Sequence, residues 1–211
     1  MGAGEYSSRF VPDNNVYIIA ADAGFKTLND RGIEPDLVVG DFDSLDVIPD
    51  HPNILRVPAE KNDTDMSLAI KQGLSNGVKV FIIDGGLSGR LDHTIANIQL
   101  LKKINQSKAH GLLLGKDVCI TTITGESVTL EADAGSIISV FTIGNKAEGV
   151  TLEGLKYPLS NYTMTDSYPI GVSNEFTGQP AVITVKQGTL MITSTGIPVT
   201  ITFDDLTSIR V

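Results

Sequence analysis

Residues 36–46, DLVVGDFDSLD, set an apolar run directly before a cluster of acids. Leu37, Val38 and Val39 read as a buried strand, and Gly40 ends it. Asp41, Asp43 and Asp46 then arrive within six residues. So much negative charge at the end of a buried strand has two explanations. It is acidic surface, or it holds a cation. The choice depends on what the neighbouring strands carry at their own ends.

Working outward, NVYIIAA (15–21), NILRV (53–57), VKVFII (78–83) and GLLL (111–114) are further short apolar or β-branched runs. Helical patterns lie between them. In TDMSLAIKQGLSNG, Met66, Ile70 and Leu74 recur at helical spacing, Thr64 suits the N-cap and Gly77 closes the end. In RLDHTIANIQLLKKIN, Leu91, Ile95 and Ile98 form an apolar stripe, with Lys102 and Lys103 at the end the helix dipole favours. Strands alternating with helices predict an α/β domain with a mostly parallel sheet over residues 1–124. From about residue 125 the pattern changes. SVTLEA, SIISVFTI, GVTLEG, AVITVKQGTLMITS and PVTITF are strands separated by glycines and polar turns, with no convincing helix. Residues 125–211 therefore read as an all-β, sandwich-like domain.

The bulk numbers exclude several classes. No run approaches the roughly 20 apolar residues of a membrane span. The opening MGAGEYSSRF has no basic-then-apolar leader pattern, and the single cysteine, Cys119, leaves no internal disulfide. The expectation is a cytoplasmic protein. Net charge is −9, with 16 basic and 25 acidic residues and no basic tract, so nucleic acid and anionic membrane are poor partners. Cys119 sits in the strand-like KDVCITTI and reads as a packed thiol.

The acids recur at strand ends. YIIAAD ends in Asp22, LVVGDFDS in Asp41 and Asp43, and ILRVPAEKNDTD leads to Asp63 and Asp65 where the next helix starts. In open α/β sheets ligands gather beyond the carboxyl ends of the strands. In a parallel sheet these five carboxylates share one edge. Two like charges about 4 Å apart repel by roughly 4 kcal/mol at an effective dielectric near 20. A divalent cation removes that conflict, and an all-oxygen set without His or Cys points to Mg2+ rather than zinc. Asp41 and Asp43, two apart in an extended segment, are expected to project to one side. Each acidic fragment alone is ordinary turn or helix-start chemistry, and it is their repetition that carries weight.

IIDGGLSGRLDHTIAN follows the fourth strand and matches neither the P-loop nor the dinucleotide fingerprint. Gly85, Gly86 and Gly89 still allow close backbone approach to a ligand. The helix N-terminus that follows suits a phosphate, and Arg90 adds a forked cation. Arg90, Thr94 and Asn97 share one helix face, and His93 lies a turn from Asn97. A glycine-rich turn followed by a solvated polar face is the plainer reading of the same residues.

Together AADAG, GIEPDLVVGDFDSLD, EKNDTDMSLAI and GGLSGRLDHTIANIQLL resemble, in order and spacing, the thiamine pyrophosphokinase family, and GVSNEF followed by VKQGTLMI is similar to that family's second signature. The resemblance covers nearly the whole chain. It implies an ATP- and Mg2+-binding catalytic domain over 1–124, a thiamine-binding and dimerisation domain over 125–211, and a homodimer with thiamine in a cleft at its interface. The reaction it implies is transfer of the pyrophosphoryl group of ATP to the hydroxyl of thiamine, giving thiamine diphosphate and AMP. By motif match Asp41, Asp43 and Asp65 are the metal-binding and catalytic acids, with Asp22 beside the metal. Arg90, Asp92, His93, Thr94 and Asn97 lie along the ATP site, with Lys61 and Asp63 on the same side. Ser173 and Asn174 contact thiamine. Asp43 and Asp65 are the candidates for accepting the hydroxyl proton.

The family's opening apolar strand before a glycine turn has no counterpart in MGAGEYSS, where it is expected to be missing or shortened. Two rival functions stay open at this point. D-F-D-S after a strand also suits a Mg-dependent phosphohydrolase with Asp41 as nucleophile. A non-catalytic thiamine- or nucleotide-binding protein would keep the glycine turn and GVSNEF without needing converging acids.

Overall fold

A computed structural model describes residues 2, 6, 7, 12, 15–42, 50–57, 63–87, 89–205 and 207–210. The chain divides into two compact units, Met1–Leu100 with Leu113–Lys116, and Leu101–Leu112 with Asp117–Val211. Two elements, α3 (Leu91–Gln106) and β5 (His110–Leu114), run from one unit into the other along the chain.

In the first unit β1 (Ile19–Ala21), β2 (Leu37–Gly40) and β3 (Ile54–Arg56) form a sheet in that order. Both pairings are parallel, with Ile19 opposite Leu37 and Val38 opposite Ile54. Ala20, Val38, Leu28 and Phe42 make a buried cluster that Ile18, Phe25, Ile33 and Ile54 cover. Leu28 reaches it from α1 (Gly24–Asp30). This helix was not foreseen. It spans seven residues, and no side chain caps its start, so neither length nor cap betrays it in the sequence. By contrast α2 (Asp65–Ser75) starts where expected, with Thr64 Oγ1 accepting from Ser67 N at 3.1 Å and Gly77 at φ +78° beyond its end. The strand β4 (Val80–Asp84) leads to the glycine turn.

The expected stripe on α3 is corrected. Leu91 is 72% exposed and Ile95 50%, whereas Asn97, on the face read as polar, is only 8% exposed. The first turns of α3 are placed by Asn97 rather than by the apolar pair. Further along, Leu101 and Ile104 are fully buried, so the helix acquires an apolar anchor only in its second half.

The second unit is built of strands: β6 (Val118–Thr124), β7 (Ser127–Glu131), β8 (Ile137–Thr142), β9 (Lys146–Glu153), β10 (Leu159–Thr165), β11 (Asn174–Glu175), β12 (Ala181–Thr184), β13 (Thr189–Thr195), β14 (Thr200–Phe203) and β15 (Ser208–Arg210). One sheet runs β10-β9-β12-β7-β14-β15. Another places β11, β8, β13, β6 and β5 side by side. The pairings of β7, β9, β12 and β14, and those of β6, β8, β11 and β13, are antiparallel. Alternate residues point inward as period two requires: Val128 and Leu130 on β7, Ala181 and Ile183 on β12, Ile201 and Phe203 on β14. The end of α3 belongs here, with Asn105 Nδ2 donating to Glu126 Oε1 at 2.6 Å and Lys102 Nζ to the Ile143 carbonyl at 3.1 Å.

His110 stacks on Phe203 with ring centroids 3.8 Å apart, and its Nε2 lies 3.1 Å from Asp205 Oδ2. That bond, with the Thr207 N–H, holds the Asp205 carboxyl down at about 2. Cys119 is buried in β6, and burial pushes its thiol up to about 12, as a packed thiol requires. Among the described residues no helix is long and apolar enough to cross a membrane.

Candidate functional site

The parallel pairing puts the carboxyl ends of β1 and β2 at one edge, and acids follow both. Asp22 N–H donates to the Val39 carbonyl at 2.8 Å, extending the ladder one residue past β1, and Asp22 then takes φ +47°. Asp41 follows β2 directly. Asp65 opens α2. Carboxylate oxygens of Asp22, Asp41 and Asp65, all partly buried, lie within 4.8 Å of one another. Three hard oxygen donors from three segments, with no His or Cys among them, fit a divalent cation such as Mg2+.

Other expected residues fall differently. The backbone is not extended through Phe42, which has φ +63° and drives its ring into the core. The same-side argument from period two therefore does not apply there. Asp43 and Lys61 lie outside the described residues. Asp63 accepts from Ser67 Oγ at 2.9 Å and pairs with Lys71 Nζ at 2.6 Å, and it does not line the cavity beside the acids.

That cavity, about 370 Å³, is lined by Asp22, Asp65, Gly85, Gly86, Arg90, His93 and Asn97, among others. A larger one of about 510 Å³, bordered by Ile18, Leu28, Ile70 and Phe81, is mainly apolar and gathers no carboxylates among the described residues. The acid-lined cavity is therefore the candidate site. Its glycine turn is held closely: Asn97 Nδ2 donates to the Gly86 carbonyl at 2.8 Å, and a Cβ on Gly86 would lie 2.6 Å from Leu113 Cδ1. Arg90 places Nε at 3.2 Å and a terminal nitrogen at 2.6 Å from the two oxygens of Asp92, in an exposed pair. The Arg90 bond keeps the Asp92 carboxyl below the usual carboxylate range. Asp92 also accepts from His93 N–H at 3.0 Å, so it serves the first turn of α3. Thr94 is tied to the Arg90 carbonyl through its N–H at 3.2 Å.

In the second unit Asn174 is 4% exposed and fully engaged. Its Oδ1 accepts from the N–H groups of Tyr157 and Glu175, each at 2.9 Å, and its Nδ2 donates to the Tyr157 carbonyl at 2.7 Å. Ser173, beside it, is exposed at φ +58° and donates its N–H to Ser139 Oγ at 3.0 Å.

Sequence reading missed Asp84, the last residue of β4. It is fully buried, and its Oδ1 accepts from Ser7 N–H at 2.9 Å and Gly85 N–H at 3.0 Å. Burial pushes its carboxyl above the ordinary 3.8. The two N–H bonds, and the Arg31 guanidinium beyond them, act the other way. A carboxyl raised in the folded state leaves stability intact below pH 3.8 and removes it as the folded group ionises at higher pH. Asp84→Asn should therefore gain stability relative to the unaltered protein as pH rises from about 4 to 7. Urea midpoints of the two proteins across that range check it, and parallel curves would refute it.

Fold and site define a class: a two-unit protein with an acid- and glycine-lined cavity beyond the ends of parallel strands. The family model "Thiamin pyrophosphokinase, catalytic domain" matches residues 11–113, and "Thiamin pyrophosphokinase, vitamin B1 binding domain" matches residues 126–190. The chain belongs to the thiamin pyrophosphokinase family. It is 32% identical over 191 residues to a thiamine pyrophosphokinase of Bacillus subtilis, spanning 87% of this chain and 89% of the relative. The crystal structure of a Bacillus subtilis thiamine pyrophosphokinase superimposes with a TM-score of 0.81 at 27% identity, covering 92% of this chain and 96% of that one. That of a Geobacillus thermodenitrificans thiamin pyrophosphokinase gives 0.81 at 26% identity, covering 93% and 95%.

Proposed function

We propose that this chain transfers the pyrophosphoryl group of ATP to the hydroxyl of thiamine, releasing thiamine diphosphate and AMP. The observation that carries the reading is the trio Asp22, Asp41 and Asp65, within 4.8 Å of one another, of which Asp22 and Asp65 line one cavity with the glycine turn and Arg90. Those three acids, with Asp43, hold Mg2+. Bound there, the ion neutralises and orients polyphosphate oxygens. The residues around it supply position and charge, which do most of the work in such transfers. Arg90 exchanges its contact with Asp92 for phosphate oxygens, and Lys61 adds a second cation. Backbone N–H groups at the start of α3 take the phosphate that Gly85 and Gly86 allow to approach. His93 and Asn97 border the nucleotide, and Asp63, Asp92 and Thr94 support that side. Asp43 or Asp65 accepts the thiamine proton as its oxygen attacks the β-phosphorus.

On this reading residues 1–124 form the α/β catalytic domain. Residues 125–211 form a β-sandwich that binds thiamine through Ser173 and Asn174 and makes a homodimer. The protein works in the cytoplasm.

The test is a product analysis. The protein is incubated with ATP, Mg2+ and thiamine, and the products are separated by chromatography. Thiamine diphosphate and AMP in equal amounts are expected. ADP with inorganic phosphate would indicate a phosphohydrolase using Asp41. Bound thiamine without turnover would indicate a binding protein.

A further inference from the structure

We propose that Asp84 is a positioning residue for the phosphate-binding turn, clasping Gly85 to Gly2 and Ser7 from behind the cavity. The proposal rests on the reading of that cavity as the ATP site. Asp84 does not line the cavity, yet it meets what does. Its side chain fixes the Gly85 N–H at 3.0 Å and the Ser7 N–H at 2.9 Å, and its carbonyl takes the Gly2 N–H at 2.8 Å. Gly2 and Gly85 both line the cavity.

The turn has little freedom left. Gly85 sits at φ +72°, and a Cβ there would fall 2.7 Å from Tyr6 Cζ and 2.9 Å from the Gly2 carbonyl oxygen. The Tyr6 hydroxyl donates to that same carbonyl. Asn97 Nδ2 donates to the carbonyl of the next residue, Gly86. The turn is thus held at Gly85 by Asp84 and at Gly86 by Asn97. Asn97 stands among the site residues expected from the sequence, though not as a grip on the turn, and Asp84 does not.

A carboxylate is an expensive way to satisfy two N–H groups in a buried place, since its Oδ2 is buried with no hydrogen-bond partner among the described residues. Hydrogen bonds of ordinary length to a carboxylate oxygen still hold two donors more firmly than bonds to a neutral acceptor do. Binding that depends on pre-set backbone N–H directions gains from that rigidity.

The test uses binding rather than turnover, so that it stands apart from the transfer reading. Affinity for Mg-ATP and for thiamine is measured by calorimetry on the unaltered protein, Asp84→Ala and Asp84→Asn. Asp84→Ala should weaken Mg-ATP binding tenfold or more and leave thiamine binding within twofold. Asp84→Asn, which keeps an oxygen acceptor facing both N–H groups, should recover Mg-ATP affinity to within about threefold. Unchanged Mg-ATP affinity in a folded Asp84→Ala protein overturns the proposal, and so does equal weakening of both ligands. If Asp84→Ala does not fold, Asp84→Glu decides. It moves the acceptor by one methylene, so weaker Mg-ATP binding supports the proposal and unchanged binding overturns it. An unaltered protein that binds no Mg-ATP overturns this inference and the ATP reading together. One that binds Mg-ATP without making thiamine diphosphate overturns only the transfer reading.

Discussion

Asp41→Ala and Asp65→Ala should each lower turnover by about 100-fold or more at saturating Mg2+ and ATP, without lowering the melting temperature of the Mg2+-free protein. Loss of a single preorganised electrostatic contact to a reacting group costs about 10²–10³ in rate. An acid that holds the metal contributes at least as much, because the ion neutralises charge on several oxygens at once. The stability half of the expectation follows from position. Both residues are only partly buried and lie outside the buried cluster of Ala20, Leu28, Val38 and Phe42. Removing one of three converging carboxylates also removes repulsion, roughly 3–4 kcal/mol per pair at about 4–5 Å and an effective dielectric near 20 before solvent screening. Without Mg2+ the variants should therefore melt no lower than the unaltered protein. With Mg2+ the unaltered protein alone should gain in melting temperature, because only its native state binds the ion tightly. Steady-state assays paired with melts at zero and saturating Mg2+ measure both halves. Near-normal turnover in both variants would mean that the acids after β2 and at the start of α2 are merely acidic surface.

Why these acids were legible and others were not is a matter of periodicity. The acids follow strands recognisable as continuous apolar runs, and the parallel register of β1 and β2 then brings Asp22 and Asp41 together without further information. Thr64 was legible because an N-cap hydroxyl has a fixed offset from the helix it starts. The start of α3 misled for the converse reason. Leu91 and Ile95 are spaced like a core stripe, but both are exposed, and the buried residue Asn97 is placed by a hydrogen bond to Gly86 that no periodicity encodes. Asp84 reads in sequence as a turn aspartate before two glycines, and only Ser7, 77 residues away, reveals what it holds. In the second half the alternating strands β7, β12 and β14 were plain. The strand β10 was not, since most of its residues are exposed and it has no apolar face to announce it.

Asn174→Ala should be the most destabilising alanine substitution among the expected site residues, and should weaken thiamine binding more than ATP binding. The buried amide of Asn174 stands in for a strand partner, taking both the N–H and the carbonyl of Tyr157 as well as the N–H of Glu175. Alanine leaves those three backbone groups unmet. An unsatisfied buried polar group costs about 1–3 kcal/mol, and water at the exposed Tyr157 side chain recovers part of it. A net loss of about 2–3 kcal/mol is expected, which for a chain of this size lowers the melting temperature by roughly 5–10 °C. Asn174→Asp keeps the two acceptances but sets a carboxylate oxygen against the Tyr157 carbonyl in a buried place, so it should be no more stable than Asn174→Ala. The effect on ligand follows from the neighbour. Ser173 is exposed at φ +58°, a conformation it keeps because Asn174 pins the chain on one side and Ser139 on the other. Ser173→Ala should therefore weaken thiamine binding about tenfold with the melting temperature unchanged, while Asn174→Ala loses both. Calorimetric titration of thiamine against each variant, beside a melt of each, separates contact from support. If Ser173→Ala binds thiamine as the unaltered protein does, the segment is a turn held for the sake of the sheet, and the thiamine contact must be sought elsewhere in residues 125–211.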